Sequence, residues 1–432
     1  MSGLIQVLVA CFVVLLMIGV PISIALVLAA AAAMAFAAAG GLDLTQIPLQ
    51  LYESTSSFPL LAVPFFVLAG SIMSRGGMSD RLIDLARSFV GRIPGGVAMV
   101  SVVACMFFAA VSGSTAATTA AIGIVLIPAM IESGFSRGAA TGLQATAGSI
   151  GIIIPPSIPF VLLGVIGSIS IGKLFLGGVL PGIAIGAALM AVSFAIARVQ
   201  KHPPSSSRTS LANILRAAGR SILPLLTVVF VIGGIMLGMV TPTEAAIVAV
   251  VWSLIVSVLI YRELTAKDFY ESLVDTVKVT GIVVLCIGAT APFAWLLTVE
   301  QVPQNIADSM TAMTANPALL TLMMLAILLA IGTFIDLTPA MILLVPILMP
   351  IAKGIGMDPV HFGVMLILAL GIGQSTPPVG ISLFVACSVG KAKMSQVALP
   401  LLPFLAAMIV VLIAVAFWPP LTTWLPNLLM CL

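Results

Sequence analysis

Charge is what this chain of 432 residues has least of: Asp, Glu, Lys and Arg make up 7% of it, against 61% hydrophobic residues. A soluble domain clothes itself with roughly a quarter charged residues. The shortfall excludes a water-exposed globule of this size, so lipid is part of the solvent. Histidine is nearly missing as well. His202 and His361 stand far apart, there is no H-E-x-x-H, and no serine has an evident histidine partner. An intramembrane enzyme, such as a serine protease built on Ser114, is therefore the remote alternative. The five cysteines (Cys11, Cys105, Cys286, Cys387 and Cys431) are scattered without a C-x-x-C pair. They read as small apolar residues rather than metal ligands or disulfides. Met1 to Gln6 carries no Lys or Arg, so the basic start of a signal peptide is lacking and the first apolar segment is expected to stay in the mature protein. Segments of alternating polarity, the mark of a membrane barrel, are also absent.

What the chain has instead is long apolar runs, among them Ile222 to Met239 and Leu319 to Ile335. Backbone groups in hydrocarbon must be paired within the protein, and uninterrupted apolar runs do this as helices. At about 20 residues per span, spans fall near 3–19, 22–40, 58–74, 138–167, 174–197, 219–240, 244–261, 277–298, 360–389 and 396–418. Two regions, 95–131 and 317–352, are each long enough for two helices and a turn. The class is all-α and polytopic.

The chain repeats itself. Adding 222 takes Pro128, Gly134, Gly151, Pro155, Pro156 and Pro181 to Pro350, Gly356, Gly373, Pro377, Pro378 and Pro403. Residues that punctuate helices coincide without a gap, which marks an internal duplication. The first repeat is 1–198, the second 216–432, and the Pro/Ser-rich stretch at 199–215 is a linker. If the segment Arg75 to Arg92 is cytoplasmic, counting spans places all the Lys and Arg but Lys173 and Lys353 on that side, a division of 15 to 2. The linker is then cytoplasmic and both termini periplasmic. Each half crosses an odd number of times, so the second enters the membrane inverted, a signature of secondary transporters. Ser79–Val90 and Val302–Met313, amphipathic and at equivalent repeat positions, are expected to lie along opposite membrane faces.

Four polar segments broken by Gly and Pro interrupt the apolar runs: Ser112–Thr115, Ala147–Ser157, Ile335–Pro339 and Gly371–Pro378. The offset pairs them, with Ser114 on Asp336 and Gly151–Pro156 on Gly373–Pro378. Paired breaks in two halves point to a transporter's binding site. Freed carbonyls, hydroxyls and one carboxylate make an oxygen-rich cage suited to a desolvated monovalent cation such as Na⁺, while opposed helix N-termini suit an anion. Asp336, the only acid deep in an apolar region, is read either as an ion ligand or as a helix cap; the two roles can coexist. Ser112, Ser114 and Thr115 serve either the site or helix packing. Gly167–Leu174 nearly matches a phosphate loop, but Leu174 replaces the Mg²⁺-binding hydroxyl. Neither a nucleotide nor a nucleic-acid partner is expected.

The stretches SGSTAATTAAIGIVLIPAM, ATAGSIGIIIPPSIPFVLLG and GKLFLGGVLPG, with FIDLTPAMILLVPILMPIA and GIGQSTPPVGISLFV in the second half, resemble the large membrane subunit of tripartite ATP-independent periplasmic (TRAP) transporters. The resemblance covers essentially the whole chain. It implies re-entrant helical hairpins at 95–131 and 317–352, and broken helices at 138–167 and 360–389. It also implies Na⁺-driven elevator transport of a small organic acid, a carboxylate first of all, across a bacterial inner membrane. Carried onto this chain, ion and substrate contacts fall on Ser112, Ser114, Gly151, Ser157, Asp336, Thr338, Gly373, Ser375 and Thr376, with Na⁺ held by Ser112, Ser114, Gly151, Asp336, Thr338, Gly373 and Thr376. The implied partners are a small four-helix membrane subunit and a periplasmic substrate-binding protein. A stand-alone Na⁺/carboxylate symporter that needs no binding protein is the alternative within transport.

The inversion has a direct test. Single cysteines at Ser206 and Asn427 are expected to react with a membrane-impermeant thiol reagent from opposite sides. Labelling of both from one side makes the number of crossings between them even and overturns the inverted repeat.

Overall fold

The computed structural model describes residues 3–37, 43–90, 94–201, 211–314, 316–378 and 380–430. Ser206 lies outside them. In the first half α1 (Gly3–Met17) and α2 (Ile22–Phe36) pack as a pair, followed by α3 (Gln46–Thr55), α4 (Ala62–Arg75) and α5 (Met78–Val90). Two antiparallel helices, α6 (Gly96–Ser112) and α7 (Thr115–Glu132), meet at a two-residue turn. Next come α8 (Arg137–Gly148), a 3₁₀ turn at Ser149–Ile152, α9 (Ile158–Ile166) and α10 (Ile171–Val199). The second half runs α11 (Leu211–Met236), α12 (Pro242–Leu254), α13 (Ala266–Val299), α14 (Val302–Met313), and the pair α15 (Pro317–Phe334) and α16 (Leu337–Gly354). It closes with α17 (Pro359–Gly373), α18 (Ile381–Gly390), α19 (Met394–Phe417) and α20 (Pro420–Leu429). Among the described residues nine helices are long and apolar enough to cross a membrane.

The offset of 222 holds in three dimensions. It maps α7 onto α16 residue for residue, α6 onto α15 within one residue, and the break before α9 onto the break before α18. Even the caps correspond. Ser136 Oγ accepts the Ala139 N–H at 3.1 Å, and its equivalent Asp358 accepts those of Val360 and His361 at 2.8 and 3.1 Å. Such caps satisfy donors that a helix start otherwise leaves bare.

Four features differ from the sequence expectation. Helix α13 begins at Ala266, eleven residues before the expected span, because Thr265 and Asp268 form a reciprocal capping box that starts the helix in its polar foot. The first half has two helices there, α3 and α4, separated by a turn at Ser56–Ser57 and a 3₁₀ segment; α3 was not anticipated, since its polar residues broke the apolar pattern. Helix α11 starts at Leu211, inside the stretch read as linker, and α20 adds a short C-terminal helix beyond the last expected span.

The two halves interleave. Helix α8 packs on α18 and α19, α7 on α18, α9 on α16, and α10 on α17, each contact crossing from one repeat to the other. Around this body a second set of contacts joins α4 to α12 and α13, and α13 to α2 and α3. The crossing of α15 and α17 is tight enough to require glycine. A Cβ on Gly373 would lie 2.5 Å from the carbonyl carbon of Gly332 and 2.6 Å from its Cα, and backbone cannot step aside. Gly373→Ala is expected to lower the thermal unfolding midpoint by overpacking, a cost of about 1–3 kcal/mol or more. Gly281→Ala is the control: nothing lies within 4 Å of its Cβ position, and the midpoint is expected to hold or rise. Equal midpoints for the two variants would contradict the close crossing.

Candidate functional site

The turn of each helix pair sits beside a helix break. In the first half Gly113 takes φ +57°, and a Cβ there would press on the Pro156 carbonyl and the Ile158 N–H, each 3.1 Å away. Ser114 caps α7 by accepting the Ala117 N–H at 3.5 Å. Its carbonyl accepts from Thr118 Oγ1 at 2.8 Å, and the same hydroxyl lies 2.8 Å from Ser112 Oγ. Gly151 closes this knot from the break side, because a Cβ would fall 2.7 Å from Thr118 Oγ1. In the second half Asp336 occupies the position equivalent to Ser114 and also caps its helix: Oδ1 accepts the Leu337 N–H at 2.8 Å. The same oxygen accepts from Gln374 Nε2 at 2.7 Å, which ties the second turn to the second break.

Between these turns and the helices α4 and α13 lies a cavity of about 650 Å³, within the range of small-molecule sites. Ser112, Ser114, Asp336 and Thr338 line it. Gly151, Ser157, Gly373, Ser375 and Thr376 stand behind the lining. Ser157 Oγ donates to the Ile152 carbonyl at 2.6 Å, Thr376 Oγ1 to that of Ile372 at 2.8 Å, and Ser375 Oγ to that of Ala145 across the repeat boundary at 3.1 Å. Their hydroxyls are committed to carbonyls that the breaks release. Two lining oxygens have no such commitment: Thr115 Oγ1 and Gln374 Oε1 are buried without a hydrogen-bond partner among the described residues. A buried polar atom in that state costs about 1–3 kcal/mol, and a bound ion or solute relieves it.

Gln374 was not singled out from the sequence. It sits inside the GIGQSTPP segment, and the one available signal was its mismatch with the repeat, since the offset pairs it with Ile152. Both residues line the cavity. One half therefore presents a hydrocarbon wall where the other presents an amide. The charged residues of the wall are Arg75, Asp275 and Asp336. Arg75 Nη2 holds Asp275 Oδ2 at 2.8 Å, whereas no ion pair forms to Asp336 among the described residues. The result is a carboxylate, hydroxyls, an amide oxygen and helix starts facing one space. The carboxylate, hydroxyls and amide oxygen are hard oxygen donors, and one negative charge suits a monovalent cation better than a divalent one; the N–H groups at the helix starts favour an anion.

Interleaved repeats with paired helix breaks at a shared polar cavity define a membrane carrier of the secondary-transporter type. The family model of the tripartite ATP-independent periplasmic transporter DctM component matches residues 9–421, and the chain belongs to that family. It is 38% identical over 381 residues to the C4-dicarboxylate TRAP transporter large permease protein DctM of Pseudomonas aeruginosa, covering 88% of this chain and 89% of that one. The sialic acid TRAP transporter large permease protein SiaM of Vibrio cholerae is also 38% identical, covering 88% of each chain. The isethionate TRAP transporter permease protein DctMQ of Oleidesulfovibrio alaskensis is 41% identical over 96% of this chain, which spans 65% of that protein's length. The fold is similar to the crystal structure of the Alcanivorax borkumensis YdaH transporter, with a TM-score of 0.64 at 13% identity, covering 88% of this chain and 90% of that one.

Gln374→Leu keeps the side-chain bulk and removes both the donor to Asp336 and the orphaned oxygen. Transport by the assembled system is expected to fall about tenfold, the worth of a hydrogen bond to a charged group, with membrane expression unchanged. Wild-type transport rates in this variant would reduce Gln374 to packing.

Proposed function

We propose that this chain is the permease subunit of a Na⁺-coupled importer for a small organic anion, most simply a carboxylate. The reading assigns it a small membrane subunit and a periplasmic binding protein as partners. The observation that carries it is the convergence of both helix-pair turns and Gln374 of the second break on one oxygen-lined cavity holding the unpaired Asp336. Two turns at the ends of oppositely oriented repeats can share a cavity in mid-membrane only if each pair enters and returns on its own side. On this reading 95–131 and 317–352 are re-entrant hairpins, the basic end of the molecule is cytoplasmic, and both termini are periplasmic.

Na⁺ then neutralises Asp336 and fills the orphaned oxygens, which removes the repulsion an anionic substrate would otherwise meet. Ion and substrate thus stabilise one another, which is the coupling that a symporter needs. The interleaved body of α6–α9 and α15–α18 moves as a unit past α4 and α13, carrying the cavity with it. The substrates named for the relatives, a C4-dicarboxylate, sialic acid and isethionate, are all anions, and they form the panel to try first.

One set of vesicles tests the proposal. Reconstituted with both partners, the chain is expected to take up an anion of that panel only under an inward Na⁺ gradient and without ATP; alone it is expected to be silent. Robust Na⁺-independent uptake by the chain alone would point to another class of carrier. Asp336→Asn in the full system separates the two roles of that residue. Asn caps a helix nearly as well as Asp, so a cap alone predicts normal transport. An ion ligand predicts a loss of about tenfold or more, since about 1.4 kcal/mol of ion binding is a decade, with partial recovery at high Na⁺. Wild-type Na⁺ affinity and maximal rate in Asp336→Asn would leave it a structural cap.

A further inference from the structure

Apart from the central cavity, a second and smaller recess of about 150 Å³ lies between α5 and α11. Its walls are Arg81, Asp84, Arg216, Ala217 and Arg220. The recess is built rather than accidental. Ser221 Oγ donates to the Arg81 carbonyl at 2.7 Å, and Tyr261 OH donates to the Arg220 carbonyl at 3.0 Å, so α5, α11 and the end of α12 are stitched together around it. Arg81 is fixed in place: its guanidinium lies 3.6 Å from the centre of the Tyr261 ring, and its Nη2 donates to Glu263 Oε1 at 2.8 Å. That contact holds the Glu263 carboxyl below its ordinary range.

Arg216 and Arg220 are different. They stand four residues apart on one face of α11, both are exposed, and neither forms an ion pair among the described residues. The plain account of them is two basic residues marking the cytoplasmic side. That account does not explain why the two arginines line one recess together with Arg81. Its surroundings narrow the occupant. Exposed Leu215 and Ile222 flank the arginines on α11, and α5 lies along the interface with Leu82, Ile83 and Ala86 buried and Asp84 and Arg87 outward. Cations beside exposed apolar side chains match a phosphate that carries acyl chains, not a free one. Basic pockets between helices on this side of a membrane take such headgroups.

We propose that the recess between α5 and α11 binds the phosphodiester of an anionic lipid, with Arg216 and Arg220 as its ligands and Arg81 as the preset third cation. Lipid bound there clamps the interfacial helix to the first helix of the second half. Asp84 in the wall opposes binding and limits its strength.

The test uses the full-length chain in a neutral detergent, with the unfolding midpoint followed as lipid is added. Phosphatidylglycerol is expected to raise the midpoint, while phosphatidylcholine and inorganic phosphate at equal phosphorus have little effect. In the double variant Arg216→Gln, Arg220→Gln half-saturation by phosphatidylglycerol is expected to move about tenfold or more higher. Asp84→Asn is expected to lower it, and Lys353→Gln, on α16 and outside the recess, to leave it unchanged. An equal response to phosphatidylcholine, or full reproduction by inorganic phosphate, would overturn the lipid assignment. So would an unaltered titration in Asp84→Asn, which remains informative should the double variant fail to fold.

Discussion

The rest of the structure depends on one constraint, that a helix broken inside hydrocarbon must find partners for the backbone groups it frees. This chain breaks helices at two equivalent places and repairs each from elsewhere. The Ala145 carbonyl, at the end of α8, receives hydrogen bonds from Ser375 and Ser382 of the other half at 3.1 and 2.6 Å. Ser382 Oγ is also 3.0 Å from Thr119 Oγ1. Gln144 takes a bond from Ser101 at 2.6 Å and donates to the Thr119 carbonyl at 3.2 Å. The ties of Ser375 and Ser382 run across the repeat boundary, while those of Gln144 hold α8 to α6 and α7 within the first half, so the end of α8 is braced by the opposite half. Interleaving is the consequence.

Symmetry of the backbone does not make the site symmetric. The duplication sets two helix starts and two breaks around one space, and substitution then differentiates them. Ser114 and Asp336 hold equivalent caps, yet one contributes a neutral oxygen and the other a charge. Ile152 and Gln374 hold equivalent walls, one of hydrocarbon and one of amide. A symmetric frame thereby yields a polarised pocket.

How much of this was legible beforehand follows from which signals are local. The all-α class, the duplication and the TRAP resemblance were legible because apolar runs and Gly/Pro punctuation are written directly in the chain. The placement of Ser112, Ser114, Asp336 and Thr338 at one cavity was legible because the breaks themselves mark it. Ser157, Ser375 and Thr376 looked alike in sequence, and their hydroxyls serve the released carbonyls; which of two oxygens a hydroxyl faces is a tertiary fact. Gln374 was passed over because an amide carries no charge and fits no motif. Helix α3 and the foot of α13 escaped notice since polar residues interrupt an apolar count, although the capping box at Thr265 was there to be read.

The length of α13 carries a consequence of its own. Its 34 residues make a rod of about 51 Å, against a hydrocarbon layer of about 30 Å. Every charged residue of the rod falls in the stretch from Lys267 to Lys278, and the 21 residues from Val279 to Val299 match the thickness of the layer almost to the ångström, at about 32 Å. The rod is a ruler with its zero mark at Val279. Asp275, one turn short of that mark, forms part of the cavity wall. The polar foot of the rod therefore meets the cavity at its rim, while Val279, Ile282 and Val283 carry the same wall on into the apolar stretch.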